Sequence, residues 1–221
     1  MKFKVFYSQQ KDIANYLNSV WHFSYQKYGR KNITQKLLQF YPSDFKQNLK
    51  SAQTKLEAKS VVKNYLTNLS PSFHQQTEVI QIGIDTILNS HSQQIVNQLE
   101  SIYSQKFPFK NITVYITTLG ICPYNYDKRW FMTRRSNSPI GHINTAIHEL
   151  NHFMFYYYYQ DYLTKKNLSQ KNIEILKEAL AILTNPEGNN KPQVIKIETY
   201  IKSLPKKPIK TIIDSCLEKF F

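Results

Sequence analysis

Glycine, cysteine and arginine are scarce in this chain of 221 residues. The 5 glycines are too few for a glycine-rich phosphate-binding loop, so that class of nucleotide site is excluded. The two cysteines, Cys122 and Cys216, lie far apart and form no C-x-x-C pair, which argues against a cysteine zinc site. No apolar run reaches the roughly 18 residues of a transmembrane helix, so we expect no membrane insertion.

The N-terminal segment, residues 1–7, lacks the apolar stretch of a secretory signal peptide. No disulfide framework is visible in the cysteine pattern, which favours a reducing compartment. We therefore expect a soluble, cytoplasmic protein.

Positive charge is abundant, since 29 basic residues face 15 acidic ones and the net charge is +14. Only 4 of the basic residues are arginine, which leaves 25 lysines (29 − 4). Arginine is the usual residue for bidentate recognition of phosphates and bases, whereas scattered lysines fit a solvated surface. We do not expect nucleic acid to be a partner, although a basic nucleic-acid-binding protein stays an alternative.

Hydrophobic periodicity predicts a mainly helical chain with a few strands. Apolar residues make up 41% of the chain and aromatic residues 14%, which indicates a packed globule. The pattern predicts strands at residues 3–7, 112–118 and 130–133, a turn at 70–72, a loop at 120–127, a linker at 134–141, and helices at 12–28, 33–40, 45–69, 79–88, 95–103, about 142–158 and 170–183.

The run His148-Glu149-Leu150-Asn151-His152 is the strongest indication of function. Histidines four residues apart on a helix lie on the same face and can bind one zinc ion. The glutamate between them is placed to take a proton from a water molecule on that metal. The sequence therefore predicts Zn²⁺ as cofactor, His148 and His152 as its ligands, and Glu149 as the catalytic base.

A catalytic zinc ion usually has a third protein ligand. The carboxylates that follow the run are Asp161, Glu174 and Glu178. Ser169 is a suitable N-cap for a helix over residues 170–183. On that helix Glu178 lies at the rim of the apolar arc and Glu174 lies farther toward solvent, so we expect Glu178 to be the third ligand.

The signature and Glu178, which stands 26 positions after His152 (178 − 152) and is followed by Ala179, resemble the gluzincin branch of the zinc metallopeptidases. The resemblance covers roughly residues 112–184. It implies an α+β, zincin-like fold, helix-rich with a small sheet beside the signature helix. It also implies an edge strand that pairs with peptide substrate, for which we expect residues 130–133.

The same resemblance implies a downstream residue that steadies the tetrahedral intermediate. Tyr200 is the only tyrosine after Glu178, and His142 is a second candidate. A packing role for Tyr200 and a helix-start role for His142 explain these residues better, so neither belongs to the expected site.

We expect one domain over residues 1–221, with a mostly helical part at 1–107 and a metal-site part at 108–221. The expected function is zinc-dependent hydrolysis of peptide bonds in a peptide or protein substrate. A non-catalytic zinc-binding or interaction protein that retains the metal site is the other alternative.

Overall fold

The computed structural model describes residues 1–21, 39–184 and 191–221. Over these ranges the chain is rich in helix and contains a small mixed sheet, which agrees with the expected α+β class. The strands are β1 (Lys2–Tyr7), β2 (Asn111–Thr117), β3 (Tyr124–Asn125) and β4 (Trp130–Arg134). The helices are α1 (Gln9–Ser19), α2 (Ser43–Ser51), α3 (Lys55–Thr67), α4 (Pro71–Ser90), α5 (Ser92–Tyr103), α6 (Pro139–Lys165), α7 (Gln170–Leu180), α8 (Pro192–Ser203) and α9 (Ile209–Phe220), and a 3₁₀ turn (Ala181–Leu183) follows α7.

The chain divides into two compact units, and it crosses between them more than once. The sheet unit comprises Phe3–Thr86 and Thr113–Pro139. The helical unit comprises Met1–Lys2, Ile87–Ile112 and Ile140–Phe221. The single-domain organisation that we expected from the sequence stays a prediction.

The sheet has the strand order β1-β2-β4-β3. Strand β2 runs parallel to β4, with Val114 opposite Phe131, and β3 pairs antiparallel with the start of β4. The three predicted strands are confirmed. The prediction that residues 130–133 form an edge strand is wrong, because the loop at 120–127 contains β3, which pairs with β4 on the side away from β2.

Side chains alternate between buried and more exposed positions along β1 and most of β2, whereas β4 buries three consecutive residues, Phe131 to Thr133. Phe3 and Val5 of β1 and Val114 of β2 are buried, while the residues between them are more exposed. Phe131 of β4 is also buried, and its ring meets that of Phe3 edge to face at 6.4 Å. These β-branched and aromatic residues suit a pleated, half-buried surface.

Two predicted helices of the sheet unit have different bounds in the structure. The helix expected at residues 45–69 is two helices, because Thr54 accepts a hydrogen bond from the Glu57 backbone N–H and starts α3 anew. Glu57 in turn accepts from the backbone N–H of Gln53, the residue before the N-cap, so two side chains satisfy backbone donors at this break. The turn expected at residues 70–72 is instead the start of α4, whose first residue is Pro71.

The helix predicted at residues 12–28 is confirmed as far as Ser19. Its remainder from residue 22, and residues 33–38 of the next predicted helix, lie outside the described residues. Along the parts of the chain that are described, no helix combines the length and apolar character that a membrane crossing requires.

Helix α6 is the longest described helix, and side chains on several of its sides contact other parts of the helical unit. Four consecutive tyrosines illustrate this, since they point about 100° apart. Tyr156 donates to Glu174, Tyr157 packs on Phe109, Tyr158 donates to the Lys106 carbonyl, and Tyr159 lies against Tyr103. The helix starts at Pro139 and ends at Lys165, so it extends beyond the predicted residues 142–158 at both ends.

A buried carboxylate joins α1 to the end of β2. Asp12 accepts hydrogen bonds from the Thr117 hydroxyl at 2.6 Å, from the Thr118 hydroxyl at 2.7 Å and from the Thr118 backbone N–H at 3.2 Å. Burial raises the pKa of Asp12, while these hydrogen bonds oppose the shift. The position in the first turn of α1 also favours a negative charge.

We predict that Asp12→Ala lowers the free energy of unfolding by about 2–4 kcal/mol, because both threonines lose a buried acceptor. Urea denaturation followed by tryptophan fluorescence would measure this, since Trp21 and Trp130 both belong to the sheet unit. Asp44→Ala is the matched control, because Asp44 is exposed in the first turn of α2 and its loss should cost no more than about 1 kcal/mol. Equal losses in the two variants would contradict the anchoring role of Asp12.

Candidate metal centre

The signature histidines lie on one face of α6, as their spacing predicts. The His148 and His152 Nε2 atoms are 3.0 Å apart, close enough for one imidazole to donate a hydrogen bond to the other. His152 is buried, whereas His148 keeps part of its surface exposed. The pair is therefore reachable from solvent on the His148 side.

Helix α7 brings the third side chain to this pair. Asn167 has a φ of 59°, a left-handed conformation that asparagine tolerates well, and it ends the turn that closes α6. Ser169 then caps α7 by accepting a hydrogen bond from the Asn172 N–H. Glu178 follows two turns along α7, and its Oε1 lies 3.8 Å from His152 Nε2.

His148, His152 and Glu178 form a group that could hold a metal ion, since one potential ligand atom from each lies within 4.8 Å of the others. Ligand atoms about 2.0–2.1 Å from a tetrahedral zinc ion are roughly 3.3–3.4 Å from one another. The His–His distance of 3.0 Å and the His–Glu distance of 3.8 Å bracket that value. The third pair, His148 and Glu178, lies within the 4.8 Å that bounds the group, so these two side chains would have to come closer by up to about 1.4 Å (4.8 − 3.4) to reach that geometry.

Both imidazoles have the protonation state that a metal ligand needs. Burial lowers the pKa of His148, although the charge of Glu178 opposes the shift. Burial and the nearby charge of Lys177 lower the pKa of His152 well below its ordinary value. Each neutral ring has one unprotonated nitrogen at physiological pH, so both Nε2 atoms could bind one cation once the ring that donates the hydrogen bond carries its proton on Nδ1 instead. With a neutral ring, the contact between His152 and Glu178 is not an ion pair.

Glu149 is buried beside this group and is not one of its three donors. Among the described residues no hydrogen-bond donor reaches its Oε2 atom. Burial raises the pKa of Glu149 to about 8, with Lys177 opposing the shift and Glu178 adding to it. A carboxyl group whose pKa lies near the working pH is suited to accept and return a proton.

Lys177 is a functional candidate that the sequence interpretation missed. It is 2% exposed, and its Nζ lies 2.8 Å from Glu174 Oε2 and 3.3 Å from Glu178 Oε1. Burial alone would lower the pKa of Lys177, but the charges of Glu178 and Glu174 more than offset this and raise it. The signal in the sequence was weak, because Lys177 lies at the rim of the apolar arc of α7, about 40° from Ile173, just as Glu178 lies about 40° from Ile182 at the opposite rim.

The other sequence candidates have different surroundings. Asp161 is exposed near the end of α6, and Glu174 accepts hydrogen bonds from Tyr156 and Lys177. Tyr200 packs against Phe220 with the ammonium group of Lys219 over its ring. His142 is buried on α6, six residues before His148 and outside the three-residue group.

Arg135, an arginine that could in principle contact a nucleic-acid phosphate, makes contacts within the protein instead. In the sheet unit Arg135 donates to the Thr77 hydroxyl at 3.0 Å and to the Gln76 side chain at 3.3 Å. Its guanidinium group also lies 4.2 Å from the centre of the Phe73 ring. These contacts explain Arg135 as a residue that joins two segments of its unit.

No protein-family model, curated protein or solved structure matches this chain. The resemblance to gluzincins consequently depends on the signature and on Glu178 alone.

A buried tyrosine fixes the backbone of α6 next to His152. The Tyr103 hydroxyl lies 3.0 Å from the Asn151 carbonyl oxygen and 2.9 Å from its Oδ1, and both are acceptors. Tyr103 is 2% exposed at the end of α5. The register of the signature helix is thereby tied to a neighbouring helix of the same unit.

We predict that Tyr103→Phe lowers the free energy of unfolding by about 1–3 kcal/mol, because buried acceptors at Asn151 lose their donor. Thermal or urea unfolding followed by far-ultraviolet circular dichroism would measure the loss. Tyr200→Phe is the matched control and should change stability by less than about 0.5 kcal/mol, since its ring packing is kept. A neutral Tyr103→Phe variant would contradict the anchoring role.

Proposed function

We propose that this protein is a zinc-dependent metallopeptidase in which His148, His152 and Glu178 hold the metal and Glu149 is the catalytic base. The proposal depends on one observation: these three donors converge beside the buried carboxylate of Glu149, whose Oε2 has no hydrogen-bond donor within the described ranges. A zinc ion at this position would supply a Lewis acid and lower the pKa of a water molecule to about 7.

The three proposed ligands and the proposed base have separate roles in the reaction. His148 and His152 offer neutral Nε2 atoms from consecutive turns of one rigid helix. Glu178 supplies an anionic oxygen from α7. Glu149 accepts the proton of the attacking water at its carboxylate and delivers it to the nitrogen of the leaving amine.

Solvent exposure at the site supports access for a substrate. His148 and Glu178 are both half-buried, while His152 and Glu149 lie deeper. A peptide carbonyl could therefore approach from the side of His148 and Glu178, with the base beneath. The substrate class, a peptide or protein, is inferred from the resemblance of the signature and Glu178 to the gluzincins.

The first test is the metal content of the purified chain. We predict about one zinc ion per wild-type chain by native mass spectrometry and elemental analysis, and little or none in His152→Ala, because losing one ligand of three costs most of the binding free energy. His74→Ala is the matched control, since His74 is an exposed histidine of the sheet unit. Equal zinc loading of wild type and His152→Ala would reject this ligand assignment.

The second test separates a peptidase from a zinc protein without catalysis. We predict that Glu149→Gln retains zinc but loses hydrolysis of a fluorescent casein substrate by at least about 10²-fold, because the amide cannot accept the proton. Wild-type hydrolysis should also stop in a chelator. Glu218→Gln replaces an exposed glutamate and should stay active. A fully active Glu149→Gln would disprove the role of Glu149, and a zinc-loaded wild type that cleaves nothing would favour the non-catalytic alternative.

A further inference from the structure

The ammonium group of Lys177 competes for the carboxylate that the proposed site uses as a ligand. Its Nζ is 3.3 Å from Glu178 Oε1, which is the same oxygen that faces His152 Nε2 at 3.8 Å. The lysine and a metal ion would therefore both interact with Glu178 Oε1. Glu174 holds the lysine in this position from the other side, at 2.8 Å.

Burying the ammonium group of Lys177 costs free energy that its neighbours must offset. Lys177 is only 2% exposed, and a buried ammonium group needs carboxylate partners to offset the loss of hydration. Glu174 is itself held by the Tyr156 hydroxyl and by Gln170, so the lysine is fixed by an ordered arrangement of side chains. The network joins α6 to α7 beside the candidate ligands.

We propose that Lys177 acts as an internal cation that neutralises Glu178 before metal binding and thereby weakens the affinity of the site for the metal. This inference rests on the proposed function and concerns the regulation of the same site. Lys177 is a positioning residue, because it acts on the metal through Glu178.

The electrostatics give the sign of the effect. An ion bonded to Glu178 Oε1 at about 2.1 Å could lie no more than about 5.4 Å (3.3 + 2.1) from Lys177 Nζ with these side-chain positions. Two cations at that separation repel each other, and the repulsion is weakly screened where the lysine is 2% exposed. The metal must also compete for a carboxylate that already has a partner.

Two substitutions should consequently have opposite effects on zinc affinity. Lys177→Met removes the charge and keeps the length and apolar stem, so the dissociation constant for Zn²⁺ should fall by about tenfold or more. Glu174→Gln keeps the lysine but removes a carboxylate that neutralises it, so the dissociation constant should rise by about threefold or more. A loss of structural order would weaken binding in both variants and could not produce opposite signs.

The experiment is a titration of the full chain with Zn²⁺ against a competing chelator of known affinity. Lys171→Met is the matched control, because Lys171 is an exposed lysine on the same helix and its charge is screened by water. It should change the dissociation constant by less than about twofold. Unfolding temperatures with chelator and with saturating zinc provide a second measurement, in which Lys177→Met should be less stable than wild type without zinc and gain more from its addition.

The outcomes separate this inference from the proposed function. Zinc binding by wild type with unchanged or weaker affinity in Lys177→Met overturns the inference and leaves the metal site intact. Weaker binding in both Lys177→Met and Glu174→Gln also overturns it. If neither wild type nor any variant binds zinc, the proposed function and the inference both fail.

Discussion

The candidate site depends on the register between two consecutive helices. His148 and His152 belong to α6 and Glu178 belongs to α7, so their side chains meet only if the second helix starts at the right point and in the right direction. The left-handed Asn167 and the capping Ser169 set that start within a few residues of the end of α6. The hydrogen bond from Tyr156 to Glu174 then fixes one helix against the other a single turn before Glu178.

Much of this arrangement could be predicted from local rules. The four-residue spacing of the histidines determines that they share a helix face, whatever the rest of the fold. Ser169 is an N-cap by residue type, and the phase of α7 from that cap turns Glu178 toward its apolar side. The strands at β1, β2 and β4 were predictable for a similar reason, since alternating β-branched and aromatic residues leave few other options.

The features that sequence reasoning missed depend on partners that are distant in sequence or on weaker local signals. Pairing of β3 with β4 cannot be read from a two-residue strand, and this pairing is why β4 is not an edge. The helix start at Thr54 was signalled by a T-x-x-E pattern with Glu57, but helical periodicity on both sides outweighed that signal. Lys177 belongs to a third class, because its position at the rim of the apolar arc does not reveal its burial, which only the contacts with Glu174 and Glu178 explain.

The burial of Lys177 beside Glu174 and Glu178 affects the net charge of the candidate site. With neutral imidazoles and Glu149 in the carboxylate form that its proposed role requires, the charged groups around the candidate centre include two cations and three anions, whose formal charges sum to −1 (+2 − 3): Lys177, Lys191, Glu149, Glu174 and Glu178. A divalent cation would change that sum to +1, whereas the same site without Lys177 would go from −2 to zero. Lys177 therefore favours a protein that folds without depending on its metal, and the cost is a site whose charges are not matched to a divalent ion. Buried charges at a site need such compensation, because an unpaired carboxylate in a dry interior costs several kcal/mol. The same lysine would then set both the stability of the fold without metal and the strength with which the metal is held.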